Sequence, residues 1–155
     1  MLTHEQVAIE WEKDYPKPKD VVSQIENIAE ITLVFENLLN KYWDYYYIAE
    51  RQHLKSLREF KKIENTLRLY FSKRPIEDSL IENLKLEPLQ VQYTKNEIDL
   101  MVKTHDVYAK WEEKVRDDEI LIDRLKDYLK FIQTWKFNQK NFIEIFKFTN
   151  GYVRD

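Results

Sequence analysis

The chain has 155 residues, 43% of them hydrophobic and 34% charged, with a net charge of −3, a single glycine and no cysteine. That length sets one domain as the expectation, and the missing cysteines exclude disulfides and thiolate metal sites. One glycine rules out a Gly-rich phosphate loop and leaves too few turn residues for a β-sandwich, while no apolar run approaches the ~18 residues of a membrane span.

The opening, MLTHEQVAIEWEKD, carries acidic residues where a secretory leader would be basic, and no apolar core follows. An intracellular, soluble protein is therefore expected. Thr3 and Gln6 stand at capping-box spacing and predict a short helix within residues 1–15. Pro16 and Pro18 end it, because each disfavours helical geometry in the residue before it. Asp20 is a good acceptor for the free N–H groups of a new helix.

From 20 to 71 nothing interrupts the helical pattern. Ile25, Ile28, Phe35, Leu38, Leu39, Tyr42, Tyr46, Leu54, Leu57 and Leu67 keep its spacing. Roughly 50 helical residues would extend about 75 Å. Residues 72–93 form a connector, in which Pro75 can start a short helix over IEDSLIENL. Leu84 and Leu86, then Leu89, Val91 and Tyr93, alternate with polar residues and permit extended pieces on either side of Pro88. Thr94 and Glu97 form a second capping-box pair, opening a helix expected to run unbroken over 94–150, with Gly151 as its left-handed stop. Two long helices and one connector predict an all-α, elongated helical hairpin with coiled-coil-like packing, as a single helical domain.

The second long helix carries two apolar stripes. Trp111, Val115, Ile122, Leu125, Leu129, Ile132, Ile143 and Phe146 follow a 4-3 spacing, with Asp118, Lys136 and Gln139 as exceptions. Leu121, Tyr128, Trp135 and Phe142 repeat every seven residues beside them. One partner helix buries one stripe. The other is covered either by the N-terminal helix and the first long helix, or by another subunit. With only one other long helix in the chain, the sequence favours oligomerisation, through Leu121, Tyr128, Trp135, Phe142, Ile143 and Phe146.

Catalytic and metal-binding patterns are missing. His4, His53 and His105 are widely separated and form no HxxxH pair. The carboxylates of RDDE, 116–119, point about 100° apart on a helix and cannot converge as an acid–base pair. They read as a solvated face. Neither an enzyme nor a cofactor is expected.

Charge is unevenly distributed. Between 55 and 74 stand seven basic residues, Lys55, Arg58, Lys61, Lys62, Arg68, Lys73 and Arg74, against Glu59 and Glu64. Lys55, Arg58 and Lys62 share one helix face, and Lys61 and Arg68 an adjacent one. Tyr70 and Phe71 lie at the end of this row. Cations that track phosphates, with rings on which bases stack, suit single-stranded nucleic acid. The same two rings also continue the apolar face, so the sequence allows them to be core. A structural adaptor whose basic face meets an acidic protein is the alternative.

The run from Val107 to Gly151 resembles the UvsY family of tailed-phage recombination mediators. The carrying features are Leu125 to Ile132, Phe137 to Asn141 and Phe148 to Gly151, with IEWEKD near the start and KKIENTLRLYFSK as the basic segment. Thr66 stands where the family's first motif lysine is expected, and Lys73 where its turn glycine is expected. The resemblance implies a non-enzymatic mediator that binds single-stranded DNA as a homo-oligomeric ring, such as a hexamer or heptamer. It also implies contacts with a phage recombinase and a single-strand-binding protein, in the cytoplasm of an infected bacterial host. No membrane partner is implied.

Overall fold

In a computed structural model of the chain, residues 1–15 and 28–149 are described, the side chains of 28–32, 142–143 and 145–149 excepted. Every regular element among the described residues is helical: α1 (His4–Asp14), α2 (Ile28–Phe71), α3 (Asp78–Leu84), α4 (Lys95–Thr104) and α5 (Asp106–Thr149). None of them is long and apolar enough to cross a membrane. The predicted cap at Asp20, the apolar Ile25 and the stop at Gly151 lie outside the described residues. So do the side chains of Ile28, Phe142, Ile143 and Phe146.

Both predicted capping boxes form, Thr3 with Gln6 and Thr94 with Glu97. The helix expected over 94–150 is, however, two helices. At His105 the backbone turns extended (φ −74°, ψ 131°), and its imidazole Nδ1 accepts from the Val107 N–H at 3.2 Å, capping α5. Thr104 turns its hydroxyl back onto the Leu100 carbonyl at 2.9 Å. The break has a packing reason. On a continuous helix Val102 and Tyr108 would lie about 120° apart, yet both are buried in one cluster.

Packing divides the chain into two compact units, Met1–Ala49 with Ile120–Asp155, and Glu50–Glu119. In the first, α2 and α5 run antiparallel: Lys136 Nζ donates to Glu36 Oε1 at 3.2 Å, and Tyr42 meets Tyr128. Val7, Phe35, Tyr42, Ala49, Leu121, Ile122, Leu125, Leu129 and Ile132 form its core. Helix α1 closes this core with Trp11, whose ring stacks on Tyr128 at 4.2 Å and meets the edges of Tyr42 and Phe131. Of the second stripe of α5, Leu121 is thus buried within the chain, and Tyr128 and Trp135 pack against the same core, partly buried. For these three residues the chain's own α1 and α2 provide cover, one of the two sources the sequence allowed.

The second unit also pairs α2 with α5, through Gln52 and Asp118 and through Phe60 and Tyr108. Its core is Ile63, Leu67, Phe71, Leu86, Val102 and Tyr108. Asp118 is not on a solvated face, as RDDE suggested. It is 4% exposed, and its Oδ1 accepts from Gln52 Nε2 at 2.5 Å. Leu54, counted in the predicted apolar face, is 52% exposed.

Candidate functional site

The basic segment lies on the C-terminal half of α2, within the second unit. At 100° per residue, the core-facing positions are Ser56, Ile63, Thr66, Leu67 and Phe71, with Phe60 and Tyr70 half-buried beside them. The opposite face carries Arg58, Lys61, Asn65, Leu69 and Ser72, all exposed, and Lys55 and Lys62 flank it, equally exposed. Hydrophobic burial of one side of the helix therefore forces the cations onto the other.

Of the seven basic residues between 55 and 74, six have no ion partner within 4 Å among the described residues: Lys55, Arg58, Lys61, Lys62, Lys73 and Arg74. Arg68, also expected at the binding face, is the exception. Its Nη2 pairs with Glu64 Oε1 at 2.9 Å, and its Nη1 donates to Asp99 of α4. Those hydrogen bonds, the one to Asp99 first, raise the guanidinium's pKa, and in return the Asp99 carboxyl is held below its ordinary range. Arg68 also occupies Glu64, one of only two acids in the segment, so its neutralisation leaves the neighbouring lysines less opposed.

The two aromatic residues expected to meet bases are engaged inside the protein. Phe71 is 4% exposed, edge-on to Tyr93 at 5.8 Å. Tyr70 is half-buried, packs against the same core, and its hydroxyl donates to the Glu87 carbonyl. Burial, then the nearby Glu87 carboxylate, pushes that hydroxyl's pKa up, so it stays a donor. Of the two roles the sequence allowed for these rings, the fold uses the core.

Lys73 sits where a turn glycine was expected, and it takes the left-handed conformation itself, at φ 53°. The Lys73 N–H bonds the Tyr70 carbonyl and the Arg74 N–H the Leu69 carbonyl, both at 2.9 Å. This pair of bonds is a Schellman stop. It ends α2 and projects Lys73 and Arg74 into solvent. Thr66, where the resemblance led a lysine to be expected, is 5% exposed and donates to the Lys62 carbonyl at 2.9 Å. A lysine there would bury its charge.

The sequence reading missed Lys95 and Asp99 of α4. An open groove of about 530 Å³ lies between the end of α2 and α4, lined by Asn65, Arg68, Leu69, Ser72, Arg74, Lys95, Ile98 and Asp99. Its residues come from sites some thirty positions apart, and only the docking of α4 brings them together. No group of three or more His, Asp or Glu residues able to hold a metal occurs among the described residues.

Comparison with protein-family models, with curated proteins and with solved structures gives no match.

Proposed function

We propose that the chain binds single-stranded DNA along the outer face of α2 and acts, without turnover, as an oligomeric recombination mediator. The observation that carries this reading is the row of Lys55, Arg58, Lys61 and Lys62, exposed and without ion partners among the described residues, continued by Lys73 and Arg74. The resemblance of the basic segment and of the C-terminal helix to the UvsY mediators supports the same reading. With Tyr70 and Phe71 withdrawn into the core, the contact is mainly to phosphates and largely blind to base identity.

Such a site is weak alone and gains strength by repetition in one assembly. Exposed Leu33, Val34, Tyr47 and Ile48 of α2 are the surface that supports self-association, with the α2–α5 pair packed in coiled-coil fashion. In this reading the oligomer wraps DNA in the cytoplasm of a phage-infected cell. It loosens the single-strand-binding protein there and admits the recombinase.

Titration of a fluorescent oligothymidylate at several salt concentrations tests the reading. Binding to ~5 phosphates per protomer gives a slope of log K against log[salt] near −3.5. Lys61→Ala/Lys62→Ala should cut the slope by about 1.4, two phosphate contacts' worth. A slope near zero sinks the proposal. The burial of Phe71 favours one second reading, an adaptor whose cations meet an acidic protein, since such a partner needs no stacking rings. Polyglutamate competing as effectively as the oligonucleotide would select it.

A further inference from the structure

The groove at the end of α2 has a composition that plain phosphate tracking does not require. Two of its walls are apolar, Leu69 at 37% exposure and Ile98 of α4. Three cations stand in its lining, Arg68, Arg74 and Lys95, and the last two have no carboxylate within 4 Å among the described residues. Its one acid, Asp99, would repel an anion, but Arg68 holds it in an ion pair. The Asn65 side chain adds an amide that can donate and accept. The size fits as well, since small-molecule clefts run from roughly 300 to 1,000 Å³.

Position strengthens the case. Arg58, Lys61 or Lys62, Asn65, Leu69 and Ser72 advance by three or four residues at each step, so they form one stripe on the outer face of α2. From Arg58 to Leu69 the stripe climbs about 16 Å. A polymer lying on the cations therefore arrives at the groove.

We propose that this groove seats one nucleotide of the bound strand, its phosphate between Arg74 and Lys95 and its base against Leu69 and Ile98. This rests on the reading above and gives the site what the buried Tyr70 and Phe71 cannot, a surface for a base. Aliphatic walls with one amide accept any base, so preference among the four is slight. Where a purely electrostatic helix face slides along its ligand, a nucleotide pocket sets a register.

Amide shift mapping with thymidine monophosphate and, separately, inorganic phosphate tests the groove directly. The expected result is shifts in residues 65–74 and 95–99 with the nucleotide, saturating at lower concentration than with phosphate. Equal responses to both ligands would overturn the base subsite, and shifts confined to 55–62 would overturn the groove. The oligothymidylate assay supplies the second arm. Arg74→Ala/Lys95→Ala should lower the salt slope by about 0.7 for one lost phosphate contact, and Leu69→Ser should weaken binding severalfold at unchanged slope. Full affinity in both variants, with Lys61→Ala/Lys62→Ala still defective, defeats the groove and spares the DNA reading. Failure of the wild-type protein to bind any oligonucleotide defeats both. Circular dichroism of each variant shows that the helices are retained.

Discussion

Around Tyr42 the core is closed by the N-terminal helix, which brings Val7 and Trp11, whereas around Leu67 it is partly supplied by the connector, which contributes Leu86. The polar peripheries differ in a matching way. In the first unit α1 brings Glu10 and Asp14 to Lys41, whose ammonium reaches them at 2.9 and 2.6 Å. Partial burial pushes Lys41 down, but those hydrogen bonds more than offset it, and its pKa is raised. In the second unit α4 brings one acid to α2, Asp99, and it satisfies Arg68. The other cations of that half of α2 have no ion partner within 4 Å among the described residues. A helix laid along α2 pairs its one lysine in the first unit and leaves most of its cations unpaired in the second, and that second half is where an anionic ligand is expected.

The largest effect that would sharpen this contrast is loss of core. Leu125→Ala, at a position with no exposure, should cost ~2–5 kcal/mol in urea unfolding, and Leu67→Ala, equally buried, a similar amount. If Leu125→Ala left oligonucleotide affinity unchanged while Leu67→Ala reduced it, ligand binding would be assigned to the second unit. Equal losses would break the contrast. Next comes Thr94→Ala, which removes the cap of α4 and should cost about 1 kcal/mol. Because α4 carries Lys95 and Asp99, the variant should also weaken the strand, an effect that Thr3→Ala on α1 should lack.

Acid should act on the two peripheral helices more gently. Glu97 is held low by the Thr94 backbone N–H, Asp99 by Arg68, and Glu10 chiefly by Lys41. Each folded-state pKa lies below the unfolded value of 4.5 for the glutamates and 3.8 for the aspartate. Their contribution is therefore complete above pH ~4.5 and is lost as pH falls through the lower folded values. Hydrogen exchange at pH 5 and pH 3 should show α1 and α4 losing protection before the α2–α5 cores. Protection unchanged at pH 3 would count against these contacts.

The smallest effect is expected at Lys73→Gly. Glycine relieves the left-handed strain at φ 53° but gains unfolded-state entropy, so stability should shift by less than about 1 kcal/mol. The lost charge should still lower strand affinity. Unfolding in urea by more than that would show that the Lys73 side chain holds the turn.

Much of the fold was legible because its signals are local. The Thr3–Gln6 and Thr94–Glu97 boxes are read from residues three apart, and the apolar spacing of α2 and α5 from steps of three and four. The break at His105 was not legible. The apolar pattern continues across it, and its cause is the need to bury Val102 and Tyr108 together. Asp118 misled for the same reason, since its partner Gln52 lies 66 residues away.

The cationic segment followed the same division. Lys55, Arg58 and Lys62 could be placed on one helix face, and Lys61 on an adjacent one, from spacing alone, because helical geometry and hydrophobic burial determine which way they point. That Arg68 is spent on Asp99, that Tyr70 and Phe71 belong to the core, and that Lys95 joins Arg74 around a groove depended on how α4 docks. Short-range periodicity is written in the chain, whereas the pairing of charges across distant segments exists only once the helices have packed.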